Sequence, residues 1–300
     1  MTIGIIANTT KINVLEVVSR LANLLKQNGF NYYLSDSLLT QRGQLPFIIN
    51  KSLFINDEKV CTKSDIIISI GGDGTMLATA YKAQFYDKPV LGLNFGKLGF
   101  LAEVNINQME KFIEEIKKGN YKIEERMVIT GECSNYKVET LYAINDIVID
   151  KGGWPKMIEL TIFVGGEYVT TFAADGLIIA TPTGSTGYSI STGGPIVSPK
   201  CDVITLSPIS PHSLTVRPIV LPSSEEIIIR ADSQHKELQV NCDGQRVFSF
   251  PPPLELRINK SKRSFKLVQT SLTNYFEILR KKLLWGIDLR KNSLDKEETI

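Results

Sequence analysis

Hydrophobic residues in the first 120 positions follow two alternating patterns. Ile3 to Ala7 is a continuous apolar run typical of a buried strand, and the apolar positions from Val14 to Leu25 recur at helical spacing until Gly29. Further strands are predicted at 31–34, 65–70 and 90–94, and further helices at 75–84 and 108–118, whereas 35–54 shows no clear period. The alternation predicts a parallel, doubly wound, Rossmann-like α/β domain over 1–120, which binds ligands beyond the carboxyl ends of its strands.

After residue 120 the pattern changes to short β-rich runs separated by Gly, Pro and polar turns, with no long helix between them. These runs predict strands at 121–130, 138–150, 157–164, 168–172, 177–180, 226–231, 238–241 and 254–258. We therefore expect an all-β domain over 121–270, built as an antiparallel β-sandwich. A last amphipathic helix is predicted from Leu272, Phe276, Leu279, Leu283 and Leu284. It lies in a segment over 271–300 that is expected to return to the first domain and to end in a loose tail from 290.

Composition and charge narrow the class of protein. The 300 residues carry 34 Lys and Arg against 32 Asp and Glu, a net charge of +2 that argues against capture of nucleic acid by charge alone. No apolar run has the length of a membrane span, and the amino terminus lacks the features of a signal peptide, so we expect a cytoplasmic protein that binds no membrane. The four cysteines lie far apart, which argues against a disulfide framework and a structural zinc site.

A glycine-rich turn carries the clearest chemical signal. Gly71, Gly72, Asp73, Gly74 and Thr75 follow an apolar strand directly and precede a helical pattern. Glycines permit positive φ angles and let backbone N–H groups approach a phosphate, and the helix amino end adds a favourable partial charge. The threonine is a candidate helix cap. The turn matches neither the Walker pattern nor the complete dinucleotide fingerprint, so a simple Rossmann dehydrogenase is not supported.

Asp73 needs a separate explanation, because a carboxylate beside bound phosphates would repel them. It is compatible with a hydroxyl that is to be deprotonated, with a ribose hydroxyl, or with a metal ion. In phosphoryl transfer such a carboxylate orients the attacking hydroxyl and accepts its proton. The structural alternative is a turn aspartate that bonds its own backbone.

A second segment, from Asp175 to Pro195, is also a candidate ligand-binding loop. Hydroxyl side chains and glycines crowd between Thr181 and Gly194, after an apolar strand and almost without charge. Such a loop suits a sugar, a purine edge or a phosphate, and Asp175 suits a ribose or an amide. The alternative is an ordinary solvated Ser/Thr/Gly loop.

Taken in order along the chain, these motifs resemble those of the NAD kinase family. The resemblance extends from about Ile3 to Phe276, and the run from Thr181 to Thr186 is highly specific, whereas diacylglycerol and sphingoid kinases share the glycine turn. The matching segments are Gly71 to Thr75, Asn94 to Leu101, Ala143 to Asp146, Asp175 to Ser191, Pro211 to Leu214, Arg217 to Ile219 and Asp243 to Gln245.

The resemblance implies an enzyme that transfers the γ-phosphoryl group of ATP to the 2′-hydroxyl of the adenosine ribose of NAD, giving NADP. It implies ATP as donor, a divalent cation such as Mg²⁺ whose ligands are not assigned, and a homodimer or homotetramer. Asp73 would be the general base, with Gly74 beside the NAD, and Asn145 and Asp146 would bind NAD through an amide and a carboxylate. Asp175 would contact the nicotinamide half. The remaining family contacts fall on Lys156, Ala173, Thr186, Gly187, Tyr188, Ser189, Ile190, Ser191 and Gln245, of which 186–191 would line the adenosine site.

Each assignment has a structural competitor. Asn145 and Asp146 are equally compatible with a turn between strands, Tyr188 with a packed core ring, Lys156 with a solvated surface charge, and Gln245 with a turn residue. Two other functions also remain open. A lipid kinase would share the glycine turn but needs a wide apolar cleft, and a dinucleotide sensor would bind NAD without transferring a phosphoryl group.

Overall fold

The computed structural model describes residues 1–40, 50–95, 99–102, 104–272 and 274–284. The expected tail from 290, part of the 35–54 stretch and part of the Asn94 to Leu101 motif lie outside these ranges. Within them the predicted fold class is confirmed, because an α/β layer with parallel strands adjoins an antiparallel β-sandwich. No helix in the described ranges has both the length and the apolar character to cross a membrane.

Parallel strands with helices on both faces form the first part of the chain. The strands are β1 (Thr2–Ala7), β2 (Asn31–Ser35), β3 (Phe54–Ile55), β4 (Ile66–Gly71), β5 (Val90–Asn94) and β6 (Val104–Asn105). The helices are α1 (Val14–Gln27), α2 (Asp57–Lys63), α3 (Asp73–Ala83) and α4 (Met109–Lys118), with 3-10 turns at Asp36–Thr40, Lys51–Leu53, Gln84–Tyr86 and Ile106–Gln108. The spatial order β5-β4-β1-β2-β3 is that of a doubly wound sheet.

Strand β4 shows why both faces of this sheet are covered. Successive side chains of a strand point to opposite faces, and Ile66, Ile68 and Ile70 pack with α1 and α4 while Ile67 packs with α2 and α3. A strand that is buried on both sides is continuously apolar, which is the pattern expected of a central parallel strand. The polar residues of this region therefore collect where the strand ends, at the glycine turn.

The second part of the chain is antiparallel. Its strands are β7 (Tyr121–Cys133), β8 (Leu141–Ala143), β9 (Asp146–Asp150), β10 (Ile158–Val164), β11 (Glu167–Ala174), β12 (Gly176–Ala180), β13 (Val203–Ile209), β14 (Ile219–Pro222), β15 (Ile227–Asp232), β16 (Leu238–Cys242), β17 (Arg246–Phe250) and β18 (Leu254–Thr270). A six-stranded sheet in the order β14-β13-β12-β9-β16-β17 packs on the antiparallel part of the other sheet. The loop after β12 holds a 3-10 turn, Gly184–Thr186, and a short helix, α5 (Tyr188–Ser191).

The long strand β18 joins the two layers. Its first part pairs antiparallel with β15, it pairs along its length with β7, and Leu267 near its end pairs in parallel with Val90 of β5. The parallel strands and half of the sandwich therefore belong to one 12-stranded sheet. Periodicity predicted only 254–258 as strand, because the charged residues that follow interrupt the apolar alternation.

The C-terminal helix α6 (Tyr275–Leu283) returns to the α/β layer, as expected. Asn274 caps it by accepting a hydrogen bond from the backbone N–H of Glu277. Its buried residues are Ile278 and Leu279, whereas Phe276, predicted on the apolar face, is 61% exposed. The apolar face is narrower than predicted, so the rest of the helix presents charged side chains.

Candidate functional site

The glycine turn lies at the carboxyl end of β4, and none of its glycines has a positive φ, but Gly71 is required by close packing. A Cβ on Gly71 would lie 2.3 Å from Oγ1 of Thr75, so only glycine fits there. Gly72 is the N-cap of α3 and has extended backbone with φ of −105°. The expectation that Thr75 caps the helix is wrong, because this residue lies inside the first turn and α3 has no side-chain cap. The backbone N–H groups of that turn therefore remain available to an anion.

The carboxylate of Asp73, the first residue of α3, is held by the backbone of a neighbouring loop. Its Oδ1 accepts hydrogen bonds from the N–H groups of Leu101 and Ala102 at 3.0 Å, and Oδ2 accepts one from Phe100 at 2.9 Å. A Cβ on Gly99 would lie 1.9 Å from Oδ1, so glycine is required beside the carboxylate. Each carboxylate oxygen has two acceptor positions, so the bonds made by the described residues leave one on Oδ2.

A buried carboxylate, that of Asp243, shapes the turn between β8 and β9. Its Oδ1 accepts hydrogen bonds from the N–H groups of Ile144, Asn145 and Asp146 at 2.9, 2.7 and 3.4 Å. Asp243 itself adopts a left-handed backbone with φ of 57°. Burial raises its pKa, and the N–H of Asn145 and the guanidinium of Arg246 oppose that rise. The turn alternative for Asn145 and Asp146 is thus correct as geometry, and it fixes both side chains at the end of a strand.

Asp146 is buried, and the Oδ1 atom of the partly buried Asn145 is shielded from solvent. Burial, and after it the nearby Asp243 carboxylate, raises the pKa of Asp146 from the ordinary 3.8 to about 7, while the hydrogen bond from the N–H of Tyr188 opposes the rise. The Oδ1 atom of Asn145 is buried and has no hydrogen-bond partner among the described residues. A buried, unpaired polar atom is costly in a folded protein, so this amide is a candidate for contact with a ligand.

The Asp243 turn also connects this region to the glycine turn. Nε2 of Gln245 donates a hydrogen bond to the carbonyl oxygen of Gly74 at 2.5 Å. Nη2 of Arg246 donates to Oδ2 of Asp243 at 2.7 Å, and its guanidinium carbon lies 3.6 Å from the ring centre of Tyr81 on α3. One short turn of the sandwich therefore holds both the start of α3 and the strand end that carries the buried amide and carboxylate.

The hydroxyl-rich loop is largely self-contained, which differs from the expectation that its donors face a ligand. The hydroxyl of Thr181 donates to the carbonyl of Ile144 at 2.6 Å, and that of Ser185 donates to the carbonyl of Pro182 at 2.7 Å. Further hydroxyls of the loop are also bonded to protein groups: Ser189 shares a buried hydrogen bond with Ser207 of β13, and Thr186, Ser191 and Thr192 donate to backbone carbonyls within the loop. The loop has little regular secondary structure, so these hydroxyls donate hydrogen bonds to carbonyl groups that a helix or sheet would otherwise satisfy. In this way they fix the shape of the loop.

This shape brings the loop onto the buried turn. A Cβ on Gly184 would lie 2.0 Å from the carbonyl oxygen of Asn145, and one on Gly187 would lie 3.7 Å from Oδ2 of Asp146. The ring of Tyr188 is 48% exposed, so its interpretation as a packed core ring is wrong. Ile190 is partly buried beside it. The loop thus places an exposed aromatic face next to the buried carboxylate.

Three predicted site residues lie apart from this set. Lys156 and Ala173 line a separate cavity of about 450 Å³, where Nζ of Lys156 bonds Oε1 of Gln234 at 3.2 Å. Asp175, which follows β11 directly, pairs through Oδ1 with Nζ of Lys151 at 2.6 Å. The sequence-predicted residues therefore form two groups, one around the glycine turn and one at the end of the β10–β11 hairpin.

Sequence reasoning missed three residues that complete the first group. Asp243 was treated as part of a turn, although an aspartate before glycine at the end of a strand is also a candidate backbone acceptor. Arg246 and Lys282 lie far along the chain from the residues that they contact, and no local pattern distinguishes them from surface charges. Nζ of Lys282 lies 3.7 Å from Oδ2 of Asp73.

Comparison with known proteins gives the family of the chain. Family models described as the ATP-NAD kinase N-terminal domain and C-terminal domain match residues 3–121 and 144–270. The chain belongs to the NAD kinase family. A NAD kinase of Chlorobium phaeovibrioides is 39% identical over 287 residues, covering 95% of this chain and 99% of that protein. A NAD kinase of Natranaerobius thermophilus is 35% identical over 286 residues, covering 95% of this chain and 98% of that protein.

Two solved structures are similar over nearly the whole chain. A yeast NADH kinase complexed with NADH has a TM-score of 0.85 and 25% identity, covering 96% of this chain and 89% of the other. A NAD kinase from Archaeoglobus fulgidus in complex with ATP has a TM-score of 0.72 and 26% identity, covering 95% of this chain and 99% of the other.

Proposed function

We propose that the protein transfers the γ-phosphoryl group of ATP to the 2′-hydroxyl of the adenosine ribose of NAD, giving NADP and ADP. Membership of the NAD kinase family supports this reaction. The single structural observation that carries it is the turn from Asp243 to Arg246, which bonds the glycine turn on one side and the Asn145–Asp146 strand end on the other. Donor and acceptor sites that share one rigid turn can hold two substrates in line, which is most of what phosphoryl transfer requires.

In this proposal Asp73 is the general base. Three backbone N–H groups fix its carboxylate; among the bonds of the described residues one acceptor position on Oδ2 remains, and it suits the 2′-hydroxyl of the ribose. The N–H groups at the start of α3 receive the donor phosphates. Gly71, Gly72 and Gly74 keep the backbone accessible there, and Gly71 also makes room for Thr75.

The acceptor is bound by the buried turn and the loop beside it. The unpaired Oδ1 of Asn145 accepts a hydrogen bond from NAD, and Asp146 binds a ribose hydroxyl as donor or acceptor according to its protonation. Tyr188 stacks on the adenine, with Thr186, Gly187 and Ile190 around it, while Ser189 and Ser191 support the loop. We assign Lys156, Ala173 and Asp175 to the nicotinamide half of NAD.

A divalent cation, Mg²⁺, enters this proposal as part of the donor. Within the described ranges, no group of three His, Cys, Asp or Glu side chains could hold a metal ion, and the only carboxylate lining the glycine-turn cavity, that of Asp73, is already bonded by backbone. Mg²⁺ commonly binds through substrate phosphates with few protein ligands. We therefore assign no protein ligand set to the cation and no step to it.

We further propose a cytoplasmic homodimer or homotetramer, which size-exclusion chromatography with light scattering would test. The division into 1–120, 121–270 and 271–300 also remains a proposal. The first two segments share the 12-stranded sheet, and the Asp243 turn bonds the glycine turn to the sandwich. We therefore expect the described parts of the three segments to unfold in one cooperative transition.

The assay that tests the proposed function incubates the purified chain with NAD, ATP and Mg²⁺ and measures NADP. NADP formation is expected, and its absence would contradict the proposal. A parallel reaction with labelled ATP and a diacylglycerol or sphingoid acceptor tests the lipid-kinase alternative, which the buried polar groups of Asn145 and Asp146 disfavour. Binding of NAD without product would identify a sensor.

A further inference from the structure

Two lysines far apart in the sequence line the cavity at the glycine turn. Lys11 lies in the loop after β1, and Lys282 lies in the last turn of α6. The cavity has a volume of about 340 Å³. Its other lining residues are Gly71, Gly72, Asp73, Asn94, Phe95 and Gly99.

The charges around this cavity favour a polyanion. Among the described lining residues there are two lysines, Lys11 and Lys282, and one carboxylate, that of Asp73, and the amino end of α3 adds a positive partial charge. Part of the charge that offsets a triphosphate is therefore present as side chains, and not only as backbone N–H groups.

Lys282 occupies a specific position within this set. Its Nζ lies 3.7 Å from Oδ2 of Asp73 and 5.1 Å from the ring centre of Phe100, whose N–H donates to the same oxygen. A separation of 3.7 Å is too long for a strong hydrogen bond, and both side chains are 31% exposed. The pair is therefore weak, and a phosphate with more negative charge can take the ammonium from it.

We propose that Lys282 binds the terminal phosphates of the donor and leaves Oδ2 of Asp73 when the donor enters. This inference rests on the proposed function and adds a residue to it. The departure exposes the one free acceptor position of Oδ2 to the acceptor hydroxyl, so donor binding prepares the base.

The resulting step balances without another reactant. The 2′-oxygen of NAD forms a bond to the γ-phosphorus while the bond from that phosphorus to the β,γ-bridging oxygen breaks, and ADP leaves. The proton of the 2′-hydroxyl passes to Oδ2 of Asp73 and then to solvent. Lys282 stays protonated throughout and offsets the charge of the phosphates.

The neighbouring Lys281 provides a matched control. It lies on the same helix but pairs with Glu277, away from the cavity, and both members of that pair are at least half exposed. Lys282→Met and Lys281→Met remove the same charge from adjacent positions, and Lys282→Arg keeps the charge. Thermal unfolding of all three identifies any variant that is misfolded.

Steady-state kinetics then separate the two substrates. For Lys282→Met we expect the KM for ATP to rise about 10- to 100-fold, the loss expected for one hydrogen bond between charged groups, with the KM for NAD within about twofold. Lys282→Arg should recover part of the ATP affinity, and Lys281→Met should match the native chain. Unchanged ATP affinity in Lys282→Met, or an equal loss in Lys281→Met, would overturn the proposal.

Calorimetry with inorganic tripolyphosphate keeps this test independent of turnover. Native protein should bind tripolyphosphate about 10-fold or more tightly than Lys282→Met. If the native chain forms no NADP, the proposed function fails, and this binding difference still decides whether Lys282 receives phosphate. Equal binding by the two proteins would overturn the assignment of Lys282.

Discussion

Replacing Asp146 by asparagine should stabilise the fold and weaken NAD binding at the same time. The carboxyl group is buried at the end of a strand, close to a second buried carboxylate, Asp243, and it accepts a hydrogen bond from the N–H of Tyr188. Asparagine has the same shape and keeps an oxygen for that N–H. The substitution replaces a carboxyl group that can become charged with a neutral amide, at a buried position where a charge is poorly solvated.

The size of the stabilisation follows from proton binding. Burial and the Asp243 carboxylate raise the pKa of Asp146 from 3.8 to about 7. Between these values the folded state binds more protons than the unfolded state, so the carboxyl group lowers stability progressively as the pH rises. The cost is about 2 kcal/mol at pH 5 and about 4 kcal/mol at pH 8. Asp146→Asn should therefore gain about 2 kcal/mol more at pH 8 than at pH 5.

Urea unfolding of both proteins at pH 5 and pH 8 measures this difference. Asp232→Asn is a suitable control, because Asp232 is exposed and its oxygen bonds only the adjacent N–H of Ser233 among the described contacts. Its stability should stay within about 0.5 kcal/mol of native at both pH values. The KM for NAD of Asp146→Asn should rise about tenfold as the charged acceptor is lost. A pH-independent difference in stability, or an asparagine variant that is less stable than native at pH 8, would contradict this effect of burial on Asp146.

Three further substitutions test the contacts around the site. Gly99→Ala would place a Cβ 1.9 Å from Oδ1 of Asp73, so kcat should fall at least about tenfold with stability lower by about 1–3 kcal/mol, as measured by turnover and by denaturant unfolding. Arg246→Lys keeps the charge but loses the planar stack on Tyr81, so the free energy of unfolding measured with urea should fall by about 1–2 kcal/mol. An unchanged free energy of unfolding would mean that this contact does not stabilise the fold. Tyr188→Ala removes an exposed ring, and the KM for NAD should rise about tenfold with unchanged stability, whereas an unchanged KM would exclude stacking.

The local pattern of hydrophobic residues was sufficient to predict the fold class and the position of the glycine turn between a strand and a helix. The continuous apolar run of β4 and the helical pattern after it predicted a strand, a turn and a helix, because burial on both faces of a parallel strand leaves an unambiguous signal. Strand β18 was predicted too short, since its charged positions are accommodated by long-range pairing with β7. Helix α2 has only seven residues and was not predicted, because so short a segment shows little periodicity.

The sequence indicated individual segments of the candidate site but not the tertiary contacts between them. Composition suggested that the hydroxyls of the loop at Thr181 to Ser191 face a ligand, whereas most of them satisfy backbone groups in the folded chain. The contacts of Lys282 with Asp73 and of Gln245 with Gly74 join residues about two hundred positions apart. Such pairs arise from tertiary packing, and no periodicity within one segment encodes them.

The central claim is that the fixed carboxylate of Asp73 accepts the proton of the acceptor hydroxyl, and NADP formation by Asp73→Asn tests it most directly. Asparagine can keep an oxygen for the N–H groups of Leu101 and Ala102, whereas its amide nitrogen replaces Oδ2, loses the bond from Phe100 and cannot accept the proton. We expect kcat to fall about 100- to 10,000-fold, the usual contribution of a general base, while the KM values for NAD and ATP change by less than about fivefold. Equal kcat values for the native chain and Asp73→Asn would contradict it.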